Sequence, residues 1–211
     1  DIVYYLSYKK LIKSINGGTT WSTVFDGLSS FSDLQRGGSM VFVNPANNNQ
    51  VWVANAVGTT GGLSRSIDGG GNWKKIGGAR FDNVHINSIH IRTAFPNQIW
   101  VAGNTGLWVS NDTGSTWNLV WNNNGQPTPY FGAAQAYQIS SGNAAQGNKI
   151  LFGSNYGTWR VTATDWNNVS SYSVTKVAMG GHWVGATVLK DGSVVTSRAQ
   201  DNMQLLTENE T

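Results

Sequence analysis

Ser14-Ile15-Asn16-Gly17-Gly18-Thr19-Thr20-Trp21 returns as Ser66-Ile67-Asp68-Gly69-Gly70-Gly71-Asn72-Trp73, and again as Ser110-Asn111-Asp112-Thr113-Gly114-Ser115-Thr116-Trp117. The common pattern is Ser-x-Asp/Asn-x-Gly-x-Thr/Asn-Trp. An Asp or Asn and a small hydroxyl residue beside glycines make a tight turn, because side-chain oxygens bond nearby backbone N–H groups and glycine tolerates φ > 0. The flanking apolar runs, such as Leu107-Trp108-Val109 and Asn118-Leu119-Val120, read as paired strands. The Trp after the turn offers a large apolar face to a neighbouring sheet. Each phrase therefore reads as a β-hairpin with its own peg, and recurrence at tens of residues marks a repeat architecture.

The phrase resembles the Asp-box, or BNR repeat, of sialidases, sortilin-type receptors, xyloglucanases and related bacterial surface proteins. That resemblance implies an all-β fold, a β-propeller of four-stranded Asp-box blades with the phrase on the turn between the third and fourth strands. Weaker copies extend the array. Gly157-Thr158-Trp159-Arg160-Val161-Thr162-Ala163-Thr164-Asp165-Trp166 aligns with Gly106 to Trp117 after a two-residue deletion, and Met203 to Glu210 aligns with the start of another copy. The anchors then fall at 14, 66, 110, 162 and 207, in steps of 52, 44, 52 and 45 residues, which suits one four-stranded blade per step.

A second phrase supplies the turn between the first and second strands. Val43-Asn44-Pro45-Ala46-Asn47-Asn48-Asn49-Gln50-Val51-Trp52-Val53 matches Ile91-Arg92-Thr93-Ala94-Phe95-Pro96-Asn97-Gln98-Ile99-Trp100-Val101, and Lys190-Asp191-Gly192-Ser193 serves later. Asp1-Ile2-Val3-Tyr4 corresponds to Gln98-Ile99-Trp100, so the chain is expected to open on the second strand of one blade and to close after the third strand of another. The expectation is a single propeller domain over residues 1–211, incomplete at both ends, with three full blades and parts of two. A closed five-bladed ring is the other arrangement. Open strand edges seek partners, so the piece is expected to associate with the rest of its own propeller or with a partner chain.

Composition agrees with an all-β protein. There are 26 Gly, 10 Trp and no Cys, and charged residues are 12%. The absence of Cys excludes a disulfide framework. No apolar run is long enough to span a membrane. The net charge of +3 forms no basic stripe interleaved with aromatics, which argues against nucleic acid. His85 and His90 are five residues apart and fall on opposite faces of an extended chain, so neither a metal nor a cofactor is expected. The Trp- and Asn-rich composition, with the resemblance, implies an extracellular or cell-surface protein.

The resemblance places Asp68 and Asp112 on the structural face, as braces of their turns. The structural phrase residues are Ser14, Asn16, Gly18, Trp21, Ser66, Asp68, Gly70, Trp73, Ser110, Asp112, Gly114 and Trp117. Function is expected on the opposite face, from blade-to-blade loops and second-to-third-strand loops. Aromatic faces stack on pyranose rings, while Asp, Asn and Arg bond hydroxyls. Trp121, Tyr130, Phe131, Tyr156, Trp183 and Arg198 are thus the glycan-binding candidates. The competing reading is that these aromatics plug gaps between blades.

Glycoside hydrolysis needs two carboxylates roughly 5–9.5 Å apart across the scissile bond. Asp33, Asp82 and Asp201 are the candidates, Asp201 in Ala199-Gln200-Asp201-Asn202. A sialidase is disfavoured, because no Arg-x-Pro occurs and the only glutamates are Glu208 and Glu210. Family 74 xyloglucanases use two aspartates, and Phe152 to Gly157 followed by Thr164-Asp165-Trp166 looks loosely like one of their blades. Two functions stand: a secreted propeller of a carbohydrate-active protein, xyloglucanase-like and acting on polysaccharide, or a non-catalytic propeller for glycan binding, adhesion or assembly at the cell surface.

Overall fold

The computed structural model describes residues 1–7, 10–26, 40–55, 62–82, 84, 86–122, 136–141, 148–154, 157–179, 183–189, 191, 193–198 and 204–206. These residues form five antiparallel sheets in chain order. The first holds β1 (Val3–Ser7), β2 (Lys10–Ser14) and β3 (Ser22–Asp26). The second holds β4 (Met40–Asn44), β5 (Asn47–Asn55), β6 (Gly62–Ser66) and β7 (Lys74–Ile76). The third holds β8 (Ile86–Arg92), β9 (Phe95–Gly103), β10 (Gly106–Ser110) and β11 (Asn118–Trp121). The fourth holds β12 (Ala136–Ser141), β13 (Ile150–Ser154), β14 (Gly157–Ala163) and β15 (Tyr172–Met179). The fifth holds β16 (Trp183–Val188), β17 (Val194–Arg198) and β18 (Gln204–Leu206). Three four-stranded meanders thus stand between two three-stranded ones, as the spacing of the phrases implies.

The cross-strand register aligns the repeats. Val3 faces Ser14, Val51 faces Ser66 and Ile99 faces Ser110. In the fourth sheet the residue facing Ile150 is Val161, and in the fifth Leu206 faces Val194. The anchors of the two degenerate copies are therefore 161 and 206, one residue earlier than the turn sequences suggest. With the Ser and Gly lost, only strand pairing fixes the position.

The second strands β5, β9 and β13 are buried on both faces, which explains near-continuous apolar runs such as Val51-Trp52-Val53-Ala54. One face packs on the preceding sheet and the other on the following one. Val51, Val53 and Trp73 meet Leu6, Leu11, Val24 and Phe25 of the first sheet. Ile99, Val101 and Trp117 meet Trp52, Leu63 and Ile76 of the second. Ile150, Phe152 and Trp166 meet Trp100, Leu107 and Trp121 of the third. The core is thus a series of seams between sheets.

The repeated turn is closed by its own side chains. Gly70 N–H donates to Ser66 Oγ at 2.8 Å, and Ser66 Oγ donates to Asp68 Oδ1 at 2.7 Å. Asn72 donates its backbone N–H to Oδ1 at 2.8 Å and its amide to Oδ2 at 2.7 Å. The turn at Ser110–Trp117 repeats these bonds through Asp112 and Thr116. Asn16 serves in the first sheet: Thr20 N–H donates to its Oδ1, and its Nδ2 donates to Thr20 Oγ1, both at 2.9 Å. The peg is fixed too, since Trp21, Trp73 and Trp117 donate Nε1 to Gly18, Gly70 and Gly114 carbonyls.

The donors hold the Asp68 carboxyl far below its ordinary 3.8, the Asn72 backbone N–H most strongly, then the Asn72 amide and the Ser66 hydroxyl. For Asp112, burial pushes upward, but Thr116 and Ser110 outweigh it and the net direction is down. A carboxylate lowered on folding contributes stability that is fully present above its unfolded value near 4 and lost as pH falls through the folded value. Replacing Asp68 and Asp112 together by Asn, the residue at position 16, should flatten the loss of stability below pH about 4 and lower the stability at pH 7, where the carboxylates contribute fully. Urea midpoints at pH 7 and pH 3 check this; an unchanged acid limb would count against it.

Sheets are also stapled across the seams. Lys13 Nζ donates to the Gly69 carbonyl at 2.7 Å, joined by Tyr4 Oη at 3.0 Å. Arg65, which occupies the register position of Lys13, donates to the Thr113 carbonyl and lies over Trp52 at 5.5 Å. Val109 holds that position in the third sheet. There Gln98 Nε2 donates to the Trp166 carbonyl at 2.8 Å and to Tyr172 Oη at 2.9 Å.

Candidate functional site

Gly69 and Thr113 N–H groups donate to the carbonyls of Asn49 and Asn97. The repeated turns therefore share one face with the first-to-second-strand turns. The turn Gly103–Gly106 and the ends of β5 and β13 lie at the opposite ends of the strands.

On that opposite face the described residues converge at the second and third sheets. The connection after β7 drives Phe81 fully into the seam, edge-on to Trp117 at 4.9 Å and to Trp108 at 6.1 Å. Its neighbours Arg80 and Asp82 stay exposed. Asp82 Oδ1 lies 2.6 Å from Lys75 Nζ, both side chains about half exposed. The Arg80 guanidinium lies 5.3 Å above the partly buried Trp108 ring. Trp108 Nε1 donates to Thr105 Oγ1 at 3.2 Å. The cluster offers a carboxylate, two cations, a hydroxyl and an indole edge, which suits recognition of a polyhydroxylated ligand.

Of the catalytic candidates, Asp82 is the described one, and its carboxylate is engaged by Lys75. Asp33 and Asp201 lie outside the described residues, as do Tyr130, Phe131 and Tyr156. The backbones of Trp183 and Arg198 are paired across β16 and β17. Trp121 corrects the sequence reading. It is 8% exposed, with its ring 5.2 Å from Phe152 and 5.4 Å from Trp159, so it fills the seam between sheets and presents no open stacking face. Sequence reasoning passed over Trp108 and Trp159, which share one register position, facing Val101 and Phe152. Trp159 Nε1 donates to Ser154 Oγ at 2.9 Å, and Lys176 lies 5.6 Å from its ring centroid. The signal was available: each is a Trp two residues after the glycine that opens a third strand.

Asp68 and Asp112 sit in their turns, on the other face. Among the described residues no three His, Asp or Glu side chains come together as a metal group. His85 lies outside the described residues. His90 Nε2 is 2.9 Å from Ser141 Oγ, and burial, with a smaller push from Arg92, lowers it to about 4. Arg92 lies between Phe95 and Trp166, at 4.4 and 4.3 Å, and burial lowers it to about 10. These groups bind the third and fourth sheets together. No helix among the described residues is long and apolar enough to cross a membrane.

No protein-family model matches the chain, and no curated protein matches it. Solved structures do. A GH74 xyloglucanase from Xanthomonas campestris superposes with a TM-score of 0.62 at 17% identity, over 97% of this chain and 34% of that one. A GH74 enzyme from Niastella koreensis gives 0.67 at 16%, over 100% and 34%. YCF48 bound to D1 peptide gives 0.54 at 13%, over 97% and 60%. The chain spans about a third of the length of the two GH74 enzymes. At such identities the likeness carries the fold, and together with the three turns and their bonding it identifies the architecture. The chain has the β-propeller fold, built from four-stranded antiparallel blades.

Proposed function

We propose that this chain forms part of the glycan-binding surface of an extracellular carbohydrate-active propeller, with a neutral β-glucan of the xyloglucan type as its ligand. The observation that carries the reading is the fold likeness to GH74 enzymes over essentially the whole chain, one of them a xyloglucanase. The cluster of Arg80, Asp82, Lys75, Thr105 and Trp108 on the face opposite the repeated turns supports it. Hydrolysis would pair Asp82 with Asp33 or Asp201; the Lys75 contact favours binding for Asp82 itself.

Affinity electrophoresis tests the reading. Xyloglucan in the gel should retard the chain, and Trp108→Ala should weaken retardation at least about fivefold, in line with ~1 kcal/mol for a lost aromatic contact. Absence of retardation by xyloglucan and by other neutral β-glucans would remove the proposal. A reducing-end assay on the same samples separates hydrolysis from binding. The second reading is assembly on a polypeptide partner, favoured by the likeness to YCF48, which was solved with a bound peptide.

A further inference from the structure

The seams repeat the same register positions, so they can be compared residue by residue. Between the first and second sheets, Leu11 meets Val51 and Val53. Between the second and third, Trp52, Ala54 and Leu63 meet Ile99 and Val101. Between the third and fourth, Trp100 and Ala102 with Leu107 meet Ile150 and Phe152. By register, the seam of the fourth and fifth sheets sets Leu151, Gly153 and Thr158 against Val194 and Thr196. The contact of Leu151 with Val194 places these sides against each other.

This seam differs in size and in polarity. Leu151 stands where Trp52 and Trp100 stand, and Gly153 where Ala54 and Ala102 stand, so less side chain fills it. Thr158 takes the place of Leu11, Leu63 and Leu107, and Thr196 that of Val53, Val101 and Phe152. An apolar pair has become Thr against Thr. Both threonines are 0% exposed, and among the described residues neither hydroxyl has a hydrogen-bond partner. Ser140 pairs with Leu151 and therefore lies on the same side of the fourth sheet; its buried hydroxyl is unpartnered too. Among the described residues, every buried hydroxyl without a partner falls in this one seam.

Buried hydroxyls left unpaired are costly, and each can both donate and accept. What satisfies them must do the same, must fit inside a closed seam and must meet two to four polar partners. Water fits. A metal ion does not, because Lys149 and Arg160 lie on the same side of the fourth sheet as Leu151, and Lys149 is itself 2% exposed.

We propose that the seam between the fourth and fifth sheets is an internal hydration site, in which bound water bridges Thr158 Oγ1 and Thr196 Oγ1 and extends toward Ser140 Oγ. The fifth sheet is thus joined to the fourth partly through water, where the other sheets are joined through Leu, Val and Trp. The site lies toward the face opposite the repeated turns, since Thr158 follows the Ser154–Gly157 turn and Thr196 precedes the end of β17 at Arg198. The inference is independent of the glycan reading.

Two measurements on the 211-residue chain test it. A crystal structure should show water density within hydrogen-bond distance of both threonine hydroxyls. Magnetic relaxation dispersion of water nuclei counts long-lived internal waters in solution. Thr158→Val combined with Thr196→Val keeps the side-chain shapes and removes both hydroxyls; it should abolish the density and lower the count by at least one. Thr158→Ser keeps the hydroxyl and should keep the water. In urea, each single Val variant should lower the midpoint, and the double variant should lie above the sum of the two losses. Any of three results would overturn the proposal: a dry seam, hydroxyls bonded to protein groups instead of water, or single Val variants that raise the midpoint, which would mean that the hydroxyls carry only the cost of burial. Should the double variant not fold, the density in the parent chain still decides.

Discussion

Gly106→Ala should cost roughly 4 kcal/mol of stability, the sum of a strained backbone and a forced overlap. Gly106 opens β10 at φ +121, a region L side chains rarely adopt. A Cβ there would fall inside the envelope of the Trp121 carbonyl oxygen, 3.1 Å from its carbonyl carbon and 3.2 Å from Asn122 Cα. These are backbone atoms of the paired strand, so no side-chain rotation relieves the overlap. Movement of β11 would also disturb Trp121, whose ring fills the next seam. Gly17→Ala is the control. Gly17 also has positive φ, +70, but its Cβ would meet nothing within 4 Å. Its cost should be about 1 kcal/mol, from backbone strain alone. Urea unfolding of both variants separates the terms. A Gly106→Ala protein within about 1 kcal/mol of the parent would mean that the close approach is not maintained in solution.

The contrast shows what the sequence could reveal. The turn residues were legible because their chemistry is local: Ser, Asp and Thr within six positions satisfy one another, and the pattern survives with Asn16 for Asp. The sheet order followed from the spacing of the phrases. The staples went unread: the Lys13-Ser14 and Arg65-Ser66 steps stand in the sequence, but nothing local says where those cations reach. The degenerate turns misled by one residue, because Val161 and Leu206 are identified only by the strand opposite. Trp121 misled for a related reason. At the end of a fourth strand it reads as a loop aromatic, and its fate is decided by Phe152 and Trp159, more than thirty positions away. The partnership of Asp82 with Lys75 depends on how the chain folds back after Phe81 enters the seam.

Trp117→Ala should cost about 3–5 kcal/mol, the range for deleting a large buried aromatic. Trp21→Ala should cost only about 1 kcal/mol, although both residues close the same motif and make the same indole bond to their own turn. The difference lies in the adjoining sheet. Trp117 packs among Trp52, Ile76 and Phe81, whereas the described partner of the Trp21 ring is Tyr5, at 6.3 Å. Equal losses would mean that the Trp acts through its own turn, by the bond to Gly114 or Gly18, and that the seams contribute little. Unequal losses would locate its value between sheets.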